Sequence, residues 1–248
     1  MRKLWIALLL VMLAFPFQTA RSSAEYPGGT GALLASSSAP DLLTNWTWSF
    51  WVNSTTPGAD YIIERYTNAA TEQFYVGVFS SLGNKIQSGI PMVVWGIVTG
   101  GTPLTPGVWY HVVVTRSGND WTIWMDGVID GGPSANATAQ ESGGVLRLMN
   151  SHTGLTILVG KLAEVAGWDA VLTAGEISAL AHGTPPNRIR ATKIQYYWPL
   201  HTAGCVGPCA TNPHVWPDLG GGGWNATATG LTDLISNHAP MSPPGGAN

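Results

Sequence analysis

The chain has 248 residues with 11 Lys and Arg against 14 Asp and Glu, a formal net charge of −3, and only 10% of its residues are charged while 45% are hydrophobic. No basic cluster offers the footprint that a phosphate backbone requires, so nucleic acid is excluded as a partner. The 31 glycines and 17 prolines point instead to a turn-rich protein with a neutral polar surface.

In chain order, Arg2 and Lys3, the apolar run from Leu4 to Phe15 and then Ser22-Ser23-Ala24 have the three parts of a secretory leader, 1–24, with Ala20 as an alternative cleavage residue. The run is too short to cross a bilayer, which takes about 20 apolar residues, and no later segment reads as a span. Removing Arg2, Lys3 and Arg21 with the leader takes the net charge from −3 to −6. What remains, about 220 residues, suits one all-β domain with a sizeable core, in an extracellular or periplasmic home.

Asn45 to Val52 (NWTWSFWV) alternates, with Trp46, Trp48 and Phe50 on one face and Thr47, Ser49 and Trp51 on the other. Tyr61 to Arg65, Phe74 to Phe79 and Met92 to Val98 read as further strands, and Lys85 to Ile90 as a loop. Gly107 to Val128 (GVWYHVVVTRSGNDWTIWMDGV) encodes a hairpin: two alternating strands flank Ser117 to Asp120, and Asp126-Gly127 supplies a tight type I′ turn into a third strand. Gly131 to Gly144 is expected as a loop, and Val145 to Leu148, Thr156 to Val159 and Ala163 to Trp168 as strands. One helix is predicted over Ala174 to Ala181, opened by a Thr173-x-x-Glu176 capping box and closed by Gly183 and Pro185-Pro186.

The W-Y-H-V stretch at Trp109 to Val112 with its following Asp126-Gly127 resembles the "W-Y-H-V-x-V-T … Y-V-D-G" core of laminin-G-like domains, members of the concanavalin A-like lectin/glucanase jelly rolls. Asn45 to Val52 is similar to that family's "F-T-I-S-F-W-V" strand. Lys161 to Leu180 is similar to its "G-x-I-A-E-V-x-x-W-x-x-x-L-S-x-x-E-I-x-x-L" signature. Tyr197-Trp198-Pro199-Leu200, then Pro217-Asp218-Leu219 and a glycine run, resembles the tail of bacterial or phage members. The resemblance runs from about Leu33 to Ala239. It implies an all-β jelly-roll β-sandwich of two antiparallel sheets with one short helix, over 25–239, followed by a disordered tail, 240–248.

Glucanases on this jelly roll carry an E-x-D-x-E type strand whose alternation puts two carboxylates on one face, as retaining hydrolysis requires. No such strand occurs here, nor a serine-nucleophile or phosphate-cradling motif, so no catalytic residue is assigned. The resemblance makes His111 a structural histidine and Glu164 a strand residue paired with a neighbour. It also admits calcium, for which Asp60, Asp126 and Asp130 are the nameable candidates, each with a turn or surface role as the alternative, and the metal stays unassigned. Trp46, Trp48, Trp109 and Trp168 fall at core positions. Trp51, Trp95 and Trp124 are expected on the opposite sheet face, where an indole would stack on a sugar ring or be covered by loops.

Cys205 and Cys209 are the chain's only cysteines, and in an oxidising compartment their close spacing reads as a disulfide, with free thiols or a zinc site using His201 and His214 as alternatives. The sequons at Asn45, Asn53, Asn136 and Asn225 arise readily in so Ser/Thr-rich a chain. These features together describe a secreted, non-catalytic binding or attachment module for glycan or a surface protein. The alternatives are a self-assembling structural subunit of an extracellular or virion assembly and, behind it, a divergent glycoside hydrolase.

Overall fold

The computed structural model describes residues 23–26, 32–35, 42, 44–67, 72–90, 97–135, 143–200, 214–229 and 233–235. Among them the strands are β1 (Ser23–Tyr26), β2 (Ala32–Ala35), β3 (Asn45–Ser54), β4 (Ala59–Tyr66), β5 (Glu72–Phe79), β6 (Lys85–Gly89), β7 (Val98–Pro103), β8 (Tyr110–Ser117), β9 (Asp120–Met125), β10 (Val128–Ala135), β11 (Val145–Leu148), β12 (Gly160–Trp168), β13 (Ile194–Trp198), β14 (His214–Trp216), β15 (Ala226–Thr229) and β16 (Asp233–Ile235). The one α-helix among the described residues is α1 (Ala174–Ala181).

Two antiparallel sheets result. The first runs β10-β9-β8-β3-β12-β1-β16, with β13 also paired to β12, and the second runs β14-β15-β2-β11-β4-β5-β6-β7. Packed face to face they form the jelly-roll sandwich that the strand pattern implied. Leader residues 1–22, the tail 240–248, Asn136 and both cysteines lie outside the described residues.

The predicted hairpin is present: β8 pairs with β9 from Val112↔Met125 to Ser117↔Asp120. Asp126 and Gly127 follow with φ of 50° and 88°, the two consecutive positive values of a type I′ turn. Gly127 meets a second demand, because a Cβ there would stand 3.3 Å from Ser178 Cα and Ala181 Cβ of α1.

Inward residues of both sheets make the main core, among them Trp46, Trp48 and Phe50 from β3 and Phe74, Val76 and Val78 from β5. Trp46 meets Trp121 edge-on at 5.0 Å, and Trp48 stacks on Tyr196 at 5.3 Å. Such pairs add about 0.5–1.5 kcal/mol each beyond the area they bury. Trp168 and Trp109 sit elsewhere. Trp168 packs under α1 and Trp109 against Trp51, both on the face of the first sheet turned away from the core.

The elements the sequence reading missed share one cause, a strand written in residues that look like turns. Lys85–Gly89 is strand β6 and not a loop, because Ile86 enters the core and the Ser88 hydroxyl donates to the Tyr75 carbonyl at 2.8 Å. Residues 91–96 of the expected Met92 to Val98 strand lie outside the described residues, while Val98–Pro103 forms β7. Its glycines make room for the Asp130 carboxylate, which would lie 2.3 Å from a Cβ at Gly100. Asp130 accepts from both the amide and the hydroxyl of Thr102 and so ties β10 to β7.

The first part of the expected Gly131 to Gly144 loop belongs to β10. There Gly131 has no room for a side chain, since a Cβ would lie 2.4 Å from the Thr99 carbonyl oxygen. Thr156 to Val159 makes no strand; Ile157 contributes only isolated bridges to Tyr61 and Asn150.

Helix α1 forms as predicted. Glu176 N donates to Thr173 Oγ1 at 3.4 Å while Thr173 N donates to Glu176 Oε2 at 2.7 Å, completing the capping box. Ile177 and Leu180 press onto Val113, Ala166, Leu172 and Tyr197, so the helix roofs the outer face of the first sheet. Thr173→Ala is expected to cost about 1 kcal/mol, and thermal denaturation should show a fall in Tm of roughly 2–4 °C.

Candidate functional site

A bulge in β12 creates the first candidate site. Leu162 and Val165 both reach the main core although they are three residues apart, because the register against β3 shifts between Ala163 and Ala166. Glu164 occupies that bulge with φ of 52°, a left-handed conformation that costs a non-glycine residue energy. Strict alternation would aim Glu164 into the core beside Leu162. The added residue turns it to the outer face instead. There its Oε2 accepts the Tyr197 hydroxyl at 2.5 Å, and Glu164 is 8% exposed.

Ser49 and His111 reach the same face from the neighbouring strands β3 and β8, and Ser49 Oγ lies 2.9 Å from His111 Nε2. Trp51 is the cross-strand partner of His111, with ring centroids 5.1 Å apart. Burial pushes the His111 pKa down to about 3, so the ring is neutral at physiological pH. Its Nδ1 is buried and has no hydrogen-bond partner among the described residues. Ser49, Trp51, His111 and Glu164 floor a narrow cleft walled by Leu180 of α1 and by Gly183 to Pro186.

The second candidate site lies on the outer face of the second sheet. Phe74, Val76 and Val78 of β5 point inward, so Tyr75 and Phe79 point outward, next to Tyr61 of β4. The three rings form one cluster, with centroids 5.3 Å apart for Tyr61 and Tyr75, 6.0 Å for Tyr61 and Phe79, and 5.9 Å for Tyr75 and Phe79. Gly77 makes the cluster geometrically feasible, because a Cβ there would lie 2.8 Å from the Phe79 ring. Tyr75 OH donates to Gln87 Oε1 at 2.6 Å, and Gln87 Nε2 donates to Thr99 Oγ1 at 3.3 Å. The row crosses four strands, and Tyr61, Phe79 and Gln87 are part-exposed while Thr99 is exposed. Beside it Glu64, fully buried, accepts from His152 N and pairs with His152 Nδ1 at 2.8 Å, holding the 150–158 segment on the sheet.

Of the indoles proposed from sequence, Trp51 and Trp124 do point away from the core, but that face is covered. Trp51 is 3% exposed and Trp124 is half-buried beside the α1 cluster. Trp95 lies outside the described residues. Asn53 is a buried sequon whose Nδ2 donates to the Gly107 carbonyl at 2.8 Å.

Asp60, Asp126 and Asp130, the calcium candidates, each accept a backbone amide. Asp60 accepts from Gly58 N, Asp126 from His111 N and Asp130 from Thr102. Among the described residues, no group of three or more His, Cys, Asp or Glu is placed to hold a metal. The aromatic row and the bulged glutamate escaped sequence reading. Tyr61 and Tyr75 come from separate strands, and nothing local marks a bulge at Glu164.

Three solved structures of similar architecture are distant in sequence, and at such identities the likeness shows the fold alone. A candidate carbohydrate binding protein from Bacteroides ovatus superposes with a TM-score of 0.66 at 14% identity, over 90% of this chain. The chain spans 62% of that protein's length. The heptameric SAP-like pentraxin of Limulus polyphemus gives a TM-score of 0.54 at 17% identity, over 65% of this chain and 82% of that one. Domains LG4-5 of the mouse laminin alpha1 chain give 0.46 at 11% identity, over 61% of this chain and 42% of that one. No curated protein sequence matches. The laminin-G family model matches residues 27–178, well over half of the sequence, and the chain therefore belongs to the concanavalin A-like lectin/glucanases superfamily.

Proposed function

We propose that the chain is a secreted, non-catalytic binding module that recognises glycan on the outer face of its second sheet. The observation that carries this reading is the row of Tyr61, Tyr75 and Phe79 beside Gln87 and Thr99. The part-exposed Tyr61 and Phe79 rings, backed by the buried Tyr75, offer an apolar platform to the C–H face of a sugar, and the adjoining amide and hydroxyl meet its hydroxyl groups. The Bacteroides ovatus protein, a candidate carbohydrate binder, supports the choice of ligand. The apolar leader, Leu4 to Phe15, supports secretion.

Chemistry supports the non-catalytic half. The first-sheet cleft has Glu164 as the one carboxylate among its lining residues, whereas glycoside hydrolysis uses a pair. Ser49 and His111 are within reach of each other, but among the described residues no third group orients His111 Nδ1, and the ring is too weak a base to activate a hydroxyl.

On a glycan array, the purified protein should retain at least one neutral glycan. Tyr61→Ala and Phe79→Ala should each weaken retention by roughly tenfold, a loss of about 1.4 kcal/mol. Wild-type retention by both variants, or sustained release of sugar from a polysaccharide panel, would overturn the reading.

A further inference from the structure

We propose that the aromatic row binds its glycan lengthwise, as several consecutive units of a chain laid across the strands and not as a single terminal sugar, an inference that rests on the reading of that face as a glycan site. Tyr61 of β4 pairs with Gly77 of β5, Gly77 with Gln87 of β6 and Gln87 with Thr99 of β7, so the four positions form one line across the sheet. Three strand spacings separate Tyr61 from Thr99, about 14 Å, which exceeds one sugar ring and matches about three units of an extended chain.

The two ends of this line differ in chemistry. Apolar contact belongs to the first, where the rings of Tyr61 and Phe79 are part-exposed and Gly77 leaves the space that the Phe79 ring fills. Hydrogen bonding belongs to the other. Tyr75 is 3% exposed, yet its hydroxyl donates to Gln87 Oε1, and this turns Gln87 Nε2 toward Thr99 Oγ1. Thr99 Oγ1 accepts that bond and so keeps its own proton for a ligand, while Gln87 Nε2 keeps its second N–H. Both groups are fixed before a ligand arrives, which lowers the ordering cost of binding. One sugar ring cannot stack on Tyr61 and also reach Thr99, whereas a chain of linked units does both. The far end of the line is open as well, since Thr99 is exposed on β7, the last strand of its sheet. The backbone that meets its other side is Gly131 of β10, where a Cβ would lie 2.4 Å from the Thr99 carbonyl oxygen, so no side chain rises from that position as a wall. A glycan can continue past Thr99, as an internal stretch of a polysaccharide must.

The test is isothermal titration calorimetry of the full chain with β-1,4-linked gluco-, manno- and xylo-oligosaccharides of one to six units. In at least one series affinity should rise at least tenfold between the one-unit and three-unit ligands and level off beyond about four units. Thr99→Ala, an exposed substitution that leaves folding intact, should weaken ligands of three or more units by roughly fivefold and leave the two-unit ligand unchanged. Tyr75→Phe should bring a similar loss for the long ligands, because Tyr75 is a positioning residue that acts through Gln87. In a Gln87→Ala background it should cost nothing further, a non-additivity that a merely structural role would not produce. Length-independent binding that still requires Tyr61 would overturn this inference alone, as would a Thr99→Ala effect that is equal at all lengths or absent, or a lack of binding in all three series. Binding that survives both Tyr61→Ala and Phe79→Ala would overturn the glycan reading of this face together with it.

Discussion

Trp51→Ala is expected to destabilise the fold by about 3–5 kcal/mol, the range for removing a buried large aromatic ring. The indole is 3% exposed, packs on Ala163 and Trp109, and stands 5.1 Å from the His111 ring across the β3–β8 pair. Its removal would open a cavity beside Ala163 and His111, which are anchored on paired strands and cannot collapse into it cheaply. Trp124→Ala should cost clearly less, because that ring is only half-buried beside the helix cluster. Urea denaturation of the two variants against wild type measures both. A loss under about 1 kcal/mol for Trp51→Ala would mean that the ring is open to solvent and available as a sugar platform.

Acid should act through two groups of opposite sign. His111 titrates near 3 in the folded chain against 6.5 as its ordinary value, because burial disfavours the imidazolium. Above pH 6.5 the ring is neutral in both states and adds no pH dependence. Below it the unfolded chain binds a proton that the folded chain refuses. Stability is then lost at about 1.4 kcal/mol per pH unit down to about pH 3.

Asp60 runs the other way. Burial raises its pKa from 3.8 to about 6 against the opposing Gly58 amide, so from about pH 6 to 3.8 the folded chain takes up the proton first and gains stability as pH falls. Asp126, raised chiefly by burial and further by the charge of Asp130, acts in the same direction.

Wild-type stability should therefore be nearly flat between about pH 6 and 4 and fall below that. Asp60→Asn should be more stable at pH 7, by on the order of 2 kcal/mol, and should lose stability steadily across the same window. His111→Gln, which keeps a polar group near Ser49, should instead gain stability as pH falls from 6 to 4. Urea midpoints measured at half-unit pH steps check all three. Parallel curves for wild type and Asp60→Asn would show that Asp60 ionises normally.

Much of this fold is legible in the sequence because its signals are local. The alternation of Trp46, Trp48 and Phe50, the positive φ values demanded at Asp126-Gly127 and the Thr173–Glu176 capping box are each decided by residues within a few positions of one another. Where the local signal was polar or glycine-rich, as in β6 and β7, tertiary pairing overrode it. Ile86 and Val98 gain core positions there, and Gly100 leaves room for Asp130.

By itself, then, the sequence determined the all-β class, the hairpin and the helix. The tertiary structure decided which residues meet. It covered Trp51 with α1 and its flanking turn and brought Ser49, His111 and Glu164 together from three strands. It also assembled Tyr61, Tyr75 and Phe79 on the second sheet. The physical reason is the two-residue period of a strand. One added residue at Glu164 reverses the face of everything beyond it, and neither that bulge nor the register of distant strands leaves a mark within a short window of sequence.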